Sequence, residues 1–133
     1  MTKQKTIRIL LTKIGLDAHD VGLRSLAITF KNAGMEVIYL GLHQYPESIV
    51  ASAIQDDVDV IGISSHCGAH VPAIKELFRL LEEQDMQHVS VVCGGIIPAP
   101  DRPVLKEFGV DGIFGPGTPV TEIVECIRNT QNE

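Results

Sequence analysis

At 133 residues, 44% of them hydrophobic, the chain is long enough for one domain over residues 1–133, with a core that withdraws roughly two-thirds of the unfolded surface from water. Its 11 basic and 17 acidic residues, for a net charge of −6, supply no basic stripe to follow a phosphate backbone, and nucleic acid is excluded as a partner. Cys67, Cys93 and Cys126 are odd in number, far apart and without C-x-x-C spacing, which argues against a disulfide framework or a structural zinc and for a reducing cytoplasm, while the apolar run before Lys13 is too short for a signal or a membrane span.

In chain order, Ile7 to Leu11 reads as a strand, followed by a helical stripe at Leu23, Leu26, Ala27, Phe30 and Ala33 that Gly34 terminates. Val37 to Leu40 is the second strand, and Pro46 suits the first position of a helix with Ile49, Val50, Ala53 and Ile54 on its apolar side. Val58 to Ile63 gives the third strand and Ile74, Leu77, Phe78 and Leu81 the third helix. Val89 to Cys93 is the fourth strand, with a shorter helix over Asp101 to Phe108. Val110 to Phe114 is the fifth, before a last helix with Val120, Ile123, Val124 and Ile127, for which Thr118 is the expected N-cap and Pro119 the first position. The strands are continuously apolar rather than alternating, so both faces are covered. Five β-α units with right-handed crossovers predict an α/β, flavodoxin-like (Rossmann-like) doubly wound parallel sheet of order 2-1-3-4-5, its core at about 6–128.

Such sheets bind ligands beyond the carboxyl ends of their strands, at the switch between strands 1 and 3. The loops expected there are Thr12 to Gly22, Ser64 to His70, Gly94 to Pro100 and Gly115 to Pro119, and they hold the chain's unusual residues. In "LDAHDVG", Asp17 can fix the tautomer of His19 and free its second ring nitrogen as a base or a metal ligand. Both uses stay open on these residues, since His66, His70 or Asp20 could complete an acid–base pair. A phosphoacceptor domain is excluded, because Ser64 ends strand 3 where an aspartate is needed and Thr12-Lys13 stands in place of an acidic cluster. A flavin phosphate would be repelled by the aspartates of "TKIGLDAHD". "SSHCGAH" lacks the second cluster a tetrahedral zinc requires, and His66 and His70 are read as loop or interface residues. Gly94-Gly95 is a tight turn or a place where backbone lies against a flat ligand, and Pro116-Gly117 is a type II turn.

Taken together, Asp17-x-His19-x-x-Gly22, Ser64-Ser65 and Gly94-Gly95 resemble the D-x-H-x-x-G, S-x-L and G-G signature of the cobalamin-binding domain, over about Ile7 to Ile127. Lys13, the "CGGIIP" of Cys93 to Pro98 and the "FGPGT" of Phe114 to Thr118 are similar to the cobalamin-binding region of methylmalonyl-CoA mutase-type acyl-CoA mutases. The resemblance implies adenosylcobalamin as cofactor, with His19 as the lower axial cobalt ligand and Asp17 and Lys13 behind it. It also implies cofactor contacts from Leu16, Asp17, Ala18, His19, Asp20, Gly22, Ser64, Ser65, His66, Gly94, Gly95, Ile96, Gly115 and Thr118. His66 departs from the family's leucine, which puts tail contact or the partner interface in doubt there. A ligating imidazole must be unprotonated, so acid weakens binding.

The first strand starts near Met1, without the barrel or helical segment that precedes this domain in fused mutases and methyl-transfer proteins. The resemblance therefore implies a free-standing cytoplasmic small subunit of an acyl-CoA mutase, inactive alone and with no catalytic residue of its own. A separate large subunit with an acyl-CoA-binding barrel would complete a hetero-oligomer. The alternatives are the small subunit of glutamate mutase, a corrinoid carrier or cobalamin-sensing module, and a cofactor-free interaction domain.

Overall fold

A computed structural model describes residues 6–14, 21–65, 70–95, 97–115 and 117–131. The elements are β1 (Arg8–Ile14), α1 (Val21–Asn32), β2 (Glu36–Gln44), α2 (Pro46–Asp56), β3 (Val60–Ser65), α3 (His70–Glu83), β4 (Ser90–Gly95), α4 (Asp101–Phe108), β5 (Gly112–Phe114) and α5 (Val120–Gln131). All strand pairings are parallel and the order is β2-β1-β3-β4-β5, as expected from the sequence.

Alternate residues of each strand enter one of two cores. Leu10, Ile61, Val91 and Cys93 pack with Ile49, Ala53, Ile74, Leu77 and Leu105 of α2, α3 and α4. Ile9, Leu11, Val60 and Val92 pack with Phe30 of α1 and with Val124 and Ile127 of α5. Burial on both sides is what made the strands read as unbroken apolar runs.

The strands reach further toward their carboxyl ends than the apolar runs do. Lys13, Ser64, Ser65, Gly94 and Gly95, expected in loops, are strand residues, paired as Lys13 with Ser64, Ser64 with Gly94 and Ser65 with Gly95. Backbone pairing needs no apolar side chain, so the ladder continues where hydrophobicity stops. In the opposite sense, Val58, Val89 and Val110 precede their strands, which begin at Val60, Ser90 and Gly112.

Helix ends follow local chemistry. Gly34, at φ +90°, closes α1: the Met35 N–H donates to Phe30 O at 3.0 Å and the Gly34 N–H to Lys31 O at 3.0 Å, both bonds of a Schellman cap. Pro46 opens α2 as expected, and Ser48 Oγ accepts from the Tyr45 N–H at 3.2 Å. Thr118 is not the N-cap of α5. Its hydroxyl donates backward to Gly115 O at 2.8 Å, and Pro119 O accepts the first helical bond, from the Glu122 N–H at 3.0 Å.

The C-cap of α2 is Asp57, in the left-handed region at φ 50° with its N–H on Ala53 O and Ile54 O. A Cβ is disfavoured there. Asp57→Gly relieves that strain against glycine's larger entropy loss and is expected to stabilise the fold by about 0.5–1 kcal/mol, read as a higher urea midpoint at unchanged m-value.

Candidate functional site

The carboxyl ends of the strands bring distant residues into one row: Lys13 beside Ser64, Ser64 beside Gly94, and Gly94 beside Phe114. Paired residues of a parallel sheet share a face. The row therefore continues the side occupied one step earlier by Leu11, Gly62, Val92 and Gly112, the side covered by α1 and α5.

Above these strands lies a cavity of about 280 Å³. Leu11, Leu26, Phe30, Val92 and Ile123 form its apolar walls; Gly94, Gly95, Gly115 and Gly117 border it, and Ser64 and Thr118 contribute hydroxyls. Drug-sized ligands occupy roughly 300–1,000 Å³, so this space admits a flat, largely apolar portion of a ligand rather than a macrocycle. A wider depression of about 840 Å³, floored by Phe78 and Phe108 and edged by His88 and Asp111, lies at the amino ends of β4 and β5 and gathers none of the candidate site residues.

Glycine is required for different reasons around the cavity. Gly95 and Gly117 have φ of +112° and +83°, where a Cβ is strained. Gly117 together with the Thr118 N–H bond to Gly115 O, at 3.3 Å, supports the expected type II turn. Gly94 has no such constraint, and a Cβ there would meet only Phe114 O, at an ordinary 3.6 Å. Among the described residues no packing demands glycine at 94, and what the missing side chain preserves there is open space in the cavity.

At the end of β1, Thr12 is 0% and Lys13 1% exposed, so an ammonium stands among apolar strands. A buried charge is tolerated only against acceptors, which makes Lys13 part of a polar arrangement at the carboxyl end of β1. Leu16, Asp17, Ala18, His19, Asp20, His66 and Ile96 lie outside the described residues. Gly22 falls in the first turn of α1, and Ser65 ends β3. The Cys93 thiol, turned to the opposite core, is pushed up to about 12 by burial and is a neutral packing group. Sequence reasoning missed the apolar walls, Leu26, Phe30, Val92 and Ile123, as site residues, because in sequence they are indistinguishable from core.

A doubly wound parallel sheet with a glycine-cleared apolar slot at its carboxyl end defines a binding module for a flat apolar group. The chain matches the B12 binding domain over residues 7–125 and belongs to that family. It is 40% identical over 126 residues to the 2-hydroxyisobutanoyl-CoA mutase small subunit of Aquincola tertiaricarbonis, covering 95% of this chain and 93% of that one. It is 44% identical over 123 residues to the pivalyl-CoA mutase small subunit of Xanthobacter autotrophicus, covering 92% and 82%. Among solved structures, a cobalamin-binding protein from Desulfitobacterium hafniense DCB-2 shares the fold, with a TM-score of 0.80 at 20% identity over 95% of this chain and 60% of that chain.

The cavity fits the family's cofactor: its apolar walls would suit the benzimidazole base of cobalamin, and the space over Gly94 would give that base room. Gly94→Leu fills this space without straining the backbone, so its melting temperature should stay near that of the parent while cobalamin affinity falls about ten-fold or more in a spectrophotometric titration. Cys93 should resist iodoacetamide in the folded chain at pH 8 and react on unfolding. Its thiol holds its proton up to about 12 when folded and only to about 9.0 when free, so the unfolded state loses protons first and stability should fall as pH rises above 9.

Proposed function

We propose that this chain is the cobalamin-binding small subunit of an adenosylcobalamin-dependent acyl-CoA mutase, an isomerase assembled with a separate large subunit that carries the acyl-CoA site in a barrel. The observation that carries this reading is end-to-end similarity, at 40% and 44% identity, to two mutase small subunits whose own lengths are covered to 93% and 82%. When bound, adenosylcobalamin supplies the radical chemistry of the rearrangement through homolysis of its cobalt–carbon bond.

The chain's own residues bind and orient. His19 would hold the cobalt, Asp17 would accept from its other ring N–H and fix the tautomer, and Lys13, buried at the end of β1, would balance the charge of Asp17. Leu16, Ala18, Asp20 and Gly22 would contact the cofactor beside that ligand. Ser64, Ser65, His66, Gly94, Gly95, Ile96, Gly115 and Thr118 line the path of the nucleotide tail. The catalytic groups that act on the acyl-CoA reside in the large subunit.

The chain works as one domain in the cytoplasm. Among the described residues no helix is long and apolar enough to cross a membrane, and Cys93 and Cys126 are free thiols, as suits a reducing compartment.

Two measurements test the proposal. Pull-down with the tagged chain should recover a large subunit, and the pair, but neither chain alone, should isomerise at least one of a panel of branched acyl-CoA thioesters. His19→Ala should abolish the spectral change of base-off, histidine-ligated binding and weaken affinity, whereas Asp17→Asn should keep the ligand and lose about 10- to 100-fold in affinity or activity. An unchanged spectrum and affinity in His19→Ala would remove the ligand assignment.

A further inference from the structure

Arg102 stands in the first turn of α4 and belongs to neither core. Its side chain bridges two segments. Nε donates to the Ile97 carbonyl at a long 3.5 Å, and Nη2 lies 3.4 Å from the point a Cβ on Gly115 would occupy. Ile97 follows the Gly94-Gly95 end of β4, and Gly115 opens the turn that Thr118 closes. Gly94, Gly95 and Gly115 line the cavity, whereas Ile97 packs into the opposite core. The guanidinium thus stands beside Gly115, just outside the lining of an otherwise apolar slot.

The side chain is exposed, and a guanidinium has five N–H donors, so one long bond to a carbonyl leaves a donor fork open to water. That fork matches phosphate oxygens in pairs. The chain carries a net charge of −6, so an anion approaching it is repelled unless a cation stands at the point of contact.

We propose that Arg102 binds the phosphodiester of the cofactor's nucleotide tail, an inference that rests on the cobalamin reading of the same cavity. A base seated in the slot has no charge for the walls to recognise; its linker is the one anionic part of the tail and must leave the slot through the rim. Gly115 leaves that side of the guanidinium uncovered, since a Cβ there would stand in ordinary contact with Nη2, at 3.4 Å. Arg102 therefore selects complete cobalamin over corrinoids that lack the nucleotide.

The test titrates the full chain, its Arg102→Ala variant and its Arg102→Lys variant with hydroxocobalamin and with cobinamide, which lacks the nucleotide, at low and moderate salt. Arg102→Ala should weaken hydroxocobalamin by about ten-fold and flatten the salt dependence of its affinity, while leaving cobinamide unchanged. Arg102→Lys should keep the salt dependence, because the charge remains, and recover part of the affinity, because the fork does not. Inorganic phosphate at millimolar concentration should weaken hydroxocobalamin binding to the parent chain and not to Arg102→Ala.

Equal losses for the two corrinoids would mean that the guanidinium only braces the Ile97 and Gly115 segments, and would overturn the proposal. So would an Arg102→Ala variant that binds hydroxocobalamin like the parent. A parent chain that takes up neither corrinoid would instead overturn the cobalamin reading on which the proposal stands.

Discussion

Parallel backbone pairing that outlasts the apolar strands is the constraint on which the site depends. Lys13, Ser64, Gly94 and Phe114 come from separate segments of the chain, and only the ladder between β1, β3, β4 and β5 sets them side by side on one face. Each pairing is fixed several residues earlier, where Leu10, Ile61 and Val91 are fully buried, and a slip of one position would turn those side chains out of their core. Core packing therefore sets the register, and the register delivers the polar and glycine residues to the site.

The same constraint explains how a small domain keeps an opening. α1 and α5 cover the face of Ile9, Leu11, Val60 and Val92, and their contacts with it are close over the lower part of the sheet. One step toward the carboxyl ends, Leu11, Gly62, Val92 and Gly112 give way to Lys13, Ser64, Gly94 and Phe114, and at the centre of that row the small Ser64 and Gly94 leave the helices little to close against. The cavity lies where the helices and the strands stop matching in bulk. It is set by sequence on rigid strands, which hold a ligand to tighter geometry than a loop does.

Much of this was legible in the sequence. Continuous apolar runs gave five strands and a sheet covered on both faces, and the polar and glycine residues after them marked the functional end. Strand limits were less legible because hydrophobicity reports burial and pairing is a backbone property, so Lys13, Ser64 and Gly94 read as loop. Thr118 read as a helix cap because its residue type suits that role; the hydroxyl was recruited instead by the Gly115 carbonyl in the preceding turn. The walls Phe30, Val92 and Ile123 could not be told from core, since an apolar residue facing a cavity and one facing another side chain have the same chemistry.

Three glycines on this face do two kinds of work. A Cβ on Gly62 would fall 2.8 Å from Leu11 Cδ2, so the absence of a side chain there is filled from within: Leu11 leans into the space and becomes a wall of the cavity. Gly112 is similar, with Cys126 Sγ and the Phe114 ring each 2.9 Å from a Cβ position. Gly94, one step nearer the carboxyl end, is left unfilled by the described residues. Leu11 and the Phe114 ring thus use up the space over the lower glycines and set the depth of the slot, while the glycine above them keeps its mouth clear. Glycine content alone says nothing of this division, because packing among the described residues demands the first two positions and not the third.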